Sequence, residues 1–261
     1  MKMEGFHTIQ YKKSKGVALI VISRPGAFNA FTEQMNKELI RAMKMASKDE
    51  EIRVIGITGE GKAFCAGEDL GGIDENTNHE SFLRKRYHPM MKAIKVTPKP
   101  IVALVNGTAA GAGMSLALAA DFRLVKENAK FVSAFINIGL IPDSAFIYYL
   151  PRIVGYAKAM EISLLSEPIT GQKAFDLGLA TEVYQDHEWD EKTEAFLTRI
   201  AALPTKAVSL VKRYMVDGMN NSFEEVLNKE AQAQRIAGAT KDHIEGLSAF
   251  KNKRKPAFSG K

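Results

Sequence analysis

A lone carboxylate sits in an unusual place in this chain. Asp143 follows a proline inside "INIGLIPDSAFIYYLPRIVG" (Ile136 to Gly155), a run that is otherwise mostly apolar. A carboxylate among Ile138, Leu140, Ile141 and Phe146 is costly to ionise, which suits it to take up a proton and give it back. An Asp just ahead of a helical run also suits an N-cap, where its oxygen accepts a free amide of the first turn. Both roles are open on the residues alone, and they are compatible.

Two glycine-rich stretches could supply the partner chemistry. They are "GKAFCAGEDL" (Gly61 to Leu70) and "NGTAAGAGMSL" (Asn106 to Leu116), each placed between a strand-like run and a helix-like one. Such turns present unpaired backbone N–H groups at a positive helix end, which favours an anion or a developing oxyanion. A dinucleotide fingerprint is excluded, because Gly111-Ala112-Gly113 is followed by Leu116 where a small residue is needed; the Walker A pattern is absent too. Close packing of helix on strand would also explain the glycines. Cys65, with no neighbouring His, reads as a small packing residue. The five histidines show no metal-ligand spacing, so no metal site is expected.

Strands and helices alternate through the first half. "GVALIVIS", "RVIGITGEG" and "KPIVALVNG" are β-rich runs, and "DFRLVKENAKFVSA" supplies further strand. Between them lie "TEQMNKELIRAMKMASKDE", with Met35, Leu39 and Met43 at helical spacing, and "SFLRKRYHPMMKAIKV", helical around His88-Pro89. Strands separated by helices imply an α/β fold with a mostly parallel sheet. Beyond Gly155 the pattern becomes nearly continuous helix. The expected organisation is an α/β core over residues 1–200 and a helical C-terminal region over 201–261.

Composition narrows the class. A single cysteine excludes an internal disulfide and suits a reducing compartment. "MKMEGFHTIQYKK" has no apolar core of a secretory signal, so the expected location is cytoplasmic. Nucleic acid, an anionic membrane or a phosphate-bearing small molecule would each explain the net charge of +6, and the absence of an aromatic-interleaved basic stripe argues against the first. "IVALVNGTAAGAGMSLALAA" has the length of a membrane span, yet Asn106, Gly107, Gly111 and Gly113 interrupt it; it reads as a strand followed by a helix.

"SRPGAFNAF", "GKAFCAGEDL", "VNGTAAGAGMSLALAADFRL", "IGLIPDS" with "LPRIVG", and "EGLSAFKNKRKPAF" occur in this order. Over essentially the whole chain this resembles the crotonase superfamily, the enoyl-CoA hydratases and isomerases. The resemblance implies a spiral of ββα units and a C-terminal helical region that assembles trimers or hexamers. It implies a coenzyme A thioester as substrate, with no separate cofactor. Its carbonyl oxygen would lie between the backbone N–H groups of Glu68 and Ala112, each worth about 3–4 kcal/mol to an oxyanion. Glu68 enters only through its amide; its side chain is expected to be solvated and its truncation nearly silent. Ala27, Ala63, Ala66, Gly67, Asp69, Leu70 and Gly111 are assigned by the same resemblance to the coenzyme A and thioester region. So are Phe250 and Lys253 of the basic tail.

Hydratases of this family carry two glutamates, and here Ser115 and Phe135 occupy those positions. Asp143 matches the single acidic residue of the Δ3,Δ2-enoyl-CoA isomerases and of the ring-opening isomerases of phenylacetate breakdown. A double-bond shift requires one base, whereas orienting a water and delivering a proton requires two groups. Ser115, Phe135 and Phe146 are expected at the acyl pocket. Ala145 and Phe146 stand where many isomerases have glycine. The leading expectation is therefore an enoyl-CoA isomerase acting through Asp143. Two alternatives remain: a hydratase using Asp143 and a positioned water, and a non-catalytic acyl-CoA-binding relative.

Overall fold

The computed structural model describes residues 5–261. The first four residues, part of the segment read above for a secretory signal, lie outside the described residues. The chain opens with the hairpin β1 (Ile9–Ser14) and β2 (Val17–Ile22), then α1 (Glu33–Lys48), whose Thr32 hydroxyl accepts the Met35 amide at 3.2 Å as N-cap. Next come β3 (Val54–Gly59), β4 (Ala63–Cys65), α2 (His79–Phe82), a π-helical turn at Leu83–Tyr87, and α3 (His88–Lys95). Pro89 accounts for that turn: it has no N–H, and the preceding His88 amide reaches back five residues to the Leu83 carbonyl.

Two strand–strand–helix repeats follow. The first is β5 (Ile101–Val105), β6 (Thr108–Ala110) and α4 (Ala112–Leu118). The second is β7 (Phe122–Lys126), β8 (Lys130–Val132) and α5 (Phe146–Val154). The remainder runs α6 (Tyr156–Leu165), β9 (Ile169–Thr170), α7 (Gly171–Asp176), β10 (Glu182–Tyr184), α8 (Trp189–Ala201), α9 (Thr205–Gly218), α10 (Phe223–Gly238) and α11 (Lys241–Lys251).

Each turn of the chain gives one strand to each of two sheets. The larger has the order β1-β2-β3-β5-β7-β10 and is parallel except for the β1–β2 hairpin. The smaller has the order β4-β6-β8-β9, parallel through β8 and closed by antiparallel β9. β4 and β6 lie inside stretches that read as plain loops in the sequence, and β9 and β10 interrupt what reads as continuous helix. The segment with the length of a membrane span is divided among β5, β6 and α4, and no helix among the described residues is long and apolar enough to cross a membrane.

Side chains of α1, α3, α4 and the inner sheet faces form the main core, with Met35, Leu39, Ile55, Phe64, Met90 and Phe131 almost fully buried. Gly113 shows how tightly the second glycine stretch packs: a Cβ there would come within 2.1 Å of the Cys65 carbonyl oxygen. At the far end, α9 and α10 leave an apolar groove of about 550 Å³ between them, lined by Leu210, Val211, Met215 and Leu227 among others.

Candidate active site

Glu68, Ala112 and Asp143 follow the C-terminal ends of β4, β6 and β8, three adjacent parallel strands, the first two of which lie within the glycine-rich stretches. These two stretches meet at Gly67, whose φ of 93° few other residues adopt. A Cβ there would lie 3.0 Å from the Ala110 oxygen and 3.5 Å from the Ala112 nitrogen, so the loops touch backbone to backbone. Phe31 brackets the next residue: its N–H donates to the Gly67 carbonyl at 2.7 Å and its carbonyl accepts the Asp69 N–H at 3.0 Å. Strand-like alternation then turns the Glu68 amide away from Phe31. Ala112 is the first residue of α4, where a helix amide has no acceptor within the helix. Neither the Glu68 nor the Ala112 N–H has an acceptor among the described residues, and both residues line a cavity of about 420 Å³.

Asp143 lines the same cavity. Its carbonyl oxygen accepts the Phe146 amide at 2.9 Å and the Ser115 hydroxyl at 3.0 Å, and its Oδ1 accepts the Ser144 hydroxyl at 2.7 Å. Ser144 and Ala145 are both left-handed, with φ of 52° and 65°. Ala145, not Asp143, occupies the N-cap position of α5, and no side chain caps that helix. The capping role open at the sequence level is therefore not the one Asp143 plays. Burial pushes its carboxyl above the ordinary carboxylate range, opposed by the Ser144 hydroxyl and the fields of His79 and His88.

The Glu68 side chain departs from its expected solvation. Its Oε1 lies 2.9 Å from Arg86 Nη2, both side chains being 15% exposed, and its Oε2 accepts the Tyr87 hydroxyl at 2.5 Å. Burial raises the Glu68 pKa, with Tyr87 and Arg86 working the other way. A third carboxylate on the cavity, Glu80, pairs with Arg84 at 2.8 Å. Of the three, Asp143 alone has no ion-pair partner among the described residues.

Ala66, Gly67, Leu70, Gly111 and Phe135 join Glu68, Ala112 and Asp143 on the cavity wall. Ser115 and Phe146 stand behind it, completely buried. Ser115 holds the Asp143 carbonyl, and Phe146 packs edge-on to Phe135 at 5.7 Å. Asp69 pairs with Arg24 at 2.9 Å. Ala27 lies in a 3₁₀ turn, Ala63 in β4, Phe250 in the last turn of α11 and Lys253 just beyond it, the last two exposed; none of these reaches the cavity wall. His79, Leu83 and Tyr87 do line it, and no spacing in the sequence marked them. Cys65 is buried and its thiol is pushed up to about 12, which leaves it unreactive near neutral pH. Among the described residues no group of His, Cys, Asp or Glu is arranged to hold a metal ion. Two free amides beside a carboxylate of raised pKa suit a reaction in which an oxygen gains charge while a proton moves.

A family model described as enoyl-CoA hydratase/isomerase matches residues 12–261. The chain is 41% identical to a "Probable enoyl-CoA hydratase" of Rhodobacter capsulatus, over 98% of this chain and 99% of that one. It is 35% identical to the 1,2-epoxyphenylacetyl-CoA isomerase of Escherichia coli, over 95% and 96% respectively. The crystal structure of an enoyl-CoA hydratase from Bacillus anthracis is similar with a TM-score of 0.92 at 30% identity, over 98% of this chain and all of that one.

Proposed function

Because the chain belongs to the enoyl-CoA hydratase/isomerase family and is an enzyme of that family acting on acyl-CoA, we propose that it shifts the double bond of an enoyl-CoA, with Asp143 as the single acid/base. The thioester oxygen would sit between the Glu68 and Ala112 amides. Asp143 takes a proton from the carbon beside the carbonyl or from the far allylic carbon, charge moves onto the oxygen, and the proton returns two carbons away. Each amide stabilises that charge by about 3–4 kcal/mol.

One observation carries this reading: among the described residues Asp143 is the cavity carboxylate in no ion pair, which leaves its proton free to move, while Glu68 and Glu80 are held in ion pairs. Ser115 and Phe135 supply no second carboxylate. Hydration through Asp143 and a bound water is the second reading, favoured by the name of the relative at 41% identity. Incubation with 3-enoyl-CoA and with 2-enoyl-CoA, followed by mass and ultraviolet analysis, separates them. The expected product of the 3-enoyl substrate has unchanged mass and a new conjugated absorbance; a product heavier by one water overturns the isomerase reading. In the same proposal the protein is a trimer or hexamer, and residues 201–261 form the assembly region with Phe250 and Lys253 toward the coenzyme A.

A further inference from the structure

Glu68 is an expensive residue for a position that uses only its backbone. An alanine would present the same N–H, and burying a carboxylate beside a cation seldom raises stability over an apolar pair. The side chain is nevertheless held at every polar atom. Arg86 Nη2 contacts Oε1 at 2.9 Å and Oε2 at 3.2 Å, and the Tyr87 hydroxyl reaches Oε2. Arg86 is fixed in turn: Nε and Nη2 donate to the Asn36 side-chain oxygen at 3.4 and 3.3 Å, and its guanidinium lies 4.3 Å from the Phe82 ring centroid. The Tyr87 ring packs edge-on against Phe31 at 5.6 Å, the residue whose backbone brackets Glu68. The contacts thus form a closed circuit, from the Phe31 backbone through Glu68 to Tyr87 and back to the Phe31 ring. Phe82 and Leu83, on the same wall segment as Arg86 and Tyr87, line the cavity.

We propose that the Glu68 carboxylate is a positioning residue: clamped by Arg86 and Tyr87, it fixes the direction of its own N–H and ties that donor to the cavity wall at residues 82–87. This rests on the reading that the thioester oxygen lies between the Glu68 and Ala112 amides. Donors of this kind act only when aimed at the oxygen, and a misplacement of about 1 Å can cost on the order of 10²-fold in rate. Because Phe82 and Leu83 share a segment with the clamp, an acyl chain that fits the wall keeps the donor aimed, and one that pushes it disturbs the donor. Fit of the chain is thereby read out at the carbonyl.

The probe is a saturated medium-chain acyl-CoA carrying ¹³C at its carbonyl, which binds but has no double bond to move. Isotope-edited infrared spectra give the carbonyl frequency in the complex, alongside kcat and KM for an enoyl-CoA. Wild type is expected to lower the frequency relative to free thioester, and Ala112→Pro, which removes one donor, to lose much of that shift. Glu68→Ala, Glu68→Gln and Tyr87→Phe are expected to weaken it, the last two less than the first, with kcat down about 10–10²-fold and KM within about threefold. Glu68→Gln and Tyr87→Phe keep size and shape, so the test survives if Glu68→Ala fails to fold. A merely structural role lowers the melting temperature but leaves the carbonyl frequency of the bound, folded protein at its wild-type value. That result, with the Ala112→Pro effect present, overturns the proposal and leaves the site reading intact. No frequency shift in wild type overturns both.

Discussion

A carboxyl buried against apolar side chains holds its proton to higher pH than one in water, and Asp143 is such a carboxyl. As the proposed base it must be ionised to accept a proton, so activity is expected to fall on the acid side as it becomes protonated. The acid limb of kcat/KM is expected above 3.8, the ordinary value for this carboxyl, and a limb at or below that value would contradict the assignment. Asp143→Asn is expected to lower the rate about 10²–10⁴-fold and to abolish that limb. The sign for stability is opposite: a raised pKa favours the folded state below the unfolded value, and that contribution is lost as pH rises through the folded one. Asp143→Asn should therefore melt no lower than wild type at neutral pH, so calorimetry separates lost chemistry from lost structure. Ser115 has its own consequence. Its buried hydroxyl supports the Asp143 carbonyl, so Ser115→Glu would bury a carboxylate and overfill the space, the overpacking alone costing about 1–3 kcal/mol. Lost stability without any water-adduct product is expected; a stable variant that hydrates 2-enoyl-CoA would show that the support is dispensable.

At the scale of elements, the C-terminal tail is an example of order built from few contacts. Asp242, buried on α11, accepts the Ser259 amide at 2.7 Å and the Gly260 amide at 2.9 Å, and Arg53 donates to the Phe258 carbonyl at 2.9 Å. Asp242→Ala leaves two amides unpaired and is expected to cost about 1–3 kcal/mol. Residues 256–261 should then become protease-sensitive before the rest of the fold, and limited proteolysis with mass readout checks this. The longer elements were legible in the sequence because their periodicity is strong: Met35, Leu39 and Met43 are buried on α1 as their spacing requires. β4 and β6 were not, since three residues cannot establish an alternation. Asp143, Glu68 and Ala112 were singled out by their positions in motifs that resemble the family's, and all three line one cavity. The fate of the Glu68 carboxylate was hidden because Arg86 and Tyr87 lie some eighteen residues away, on a turn whose π geometry follows from Pro89. Ser115 and Ser144 were overlooked as supports because a serine has no distinctive pattern.

For the whole molecule, the groove between α9 and α10 leaves Val211, Met215 and Leu227 exposed. Apolar surface of this kind is covered in most proteins, and assembly as a trimer or hexamer would cover it. Light scattering at micromolar concentration is expected to give a trimeric or hexameric mass, and Met215→Glu to lower it; a monodisperse wild-type monomer would refute the assembly. The arrangement of the smaller sheet bears on what this architecture can become. Glu68, Ala112 and Asp143 each follow one of three adjacent parallel strands, β4, β6 and β8, and such strands lie about 4.8 Å apart. The spacing of the two amides is thus set by the hydrogen-bonded ladder, and the Glu68 side chain adjusts only the direction of one of them. The stretch after β8 is free of that constraint. In the proposed mechanism, descent with modification can exchange the acid, shift it or remove it in residues 136–145 while inheriting the spacing of the two amides, so a new reaction on the same thioester would be reached by editing one loop.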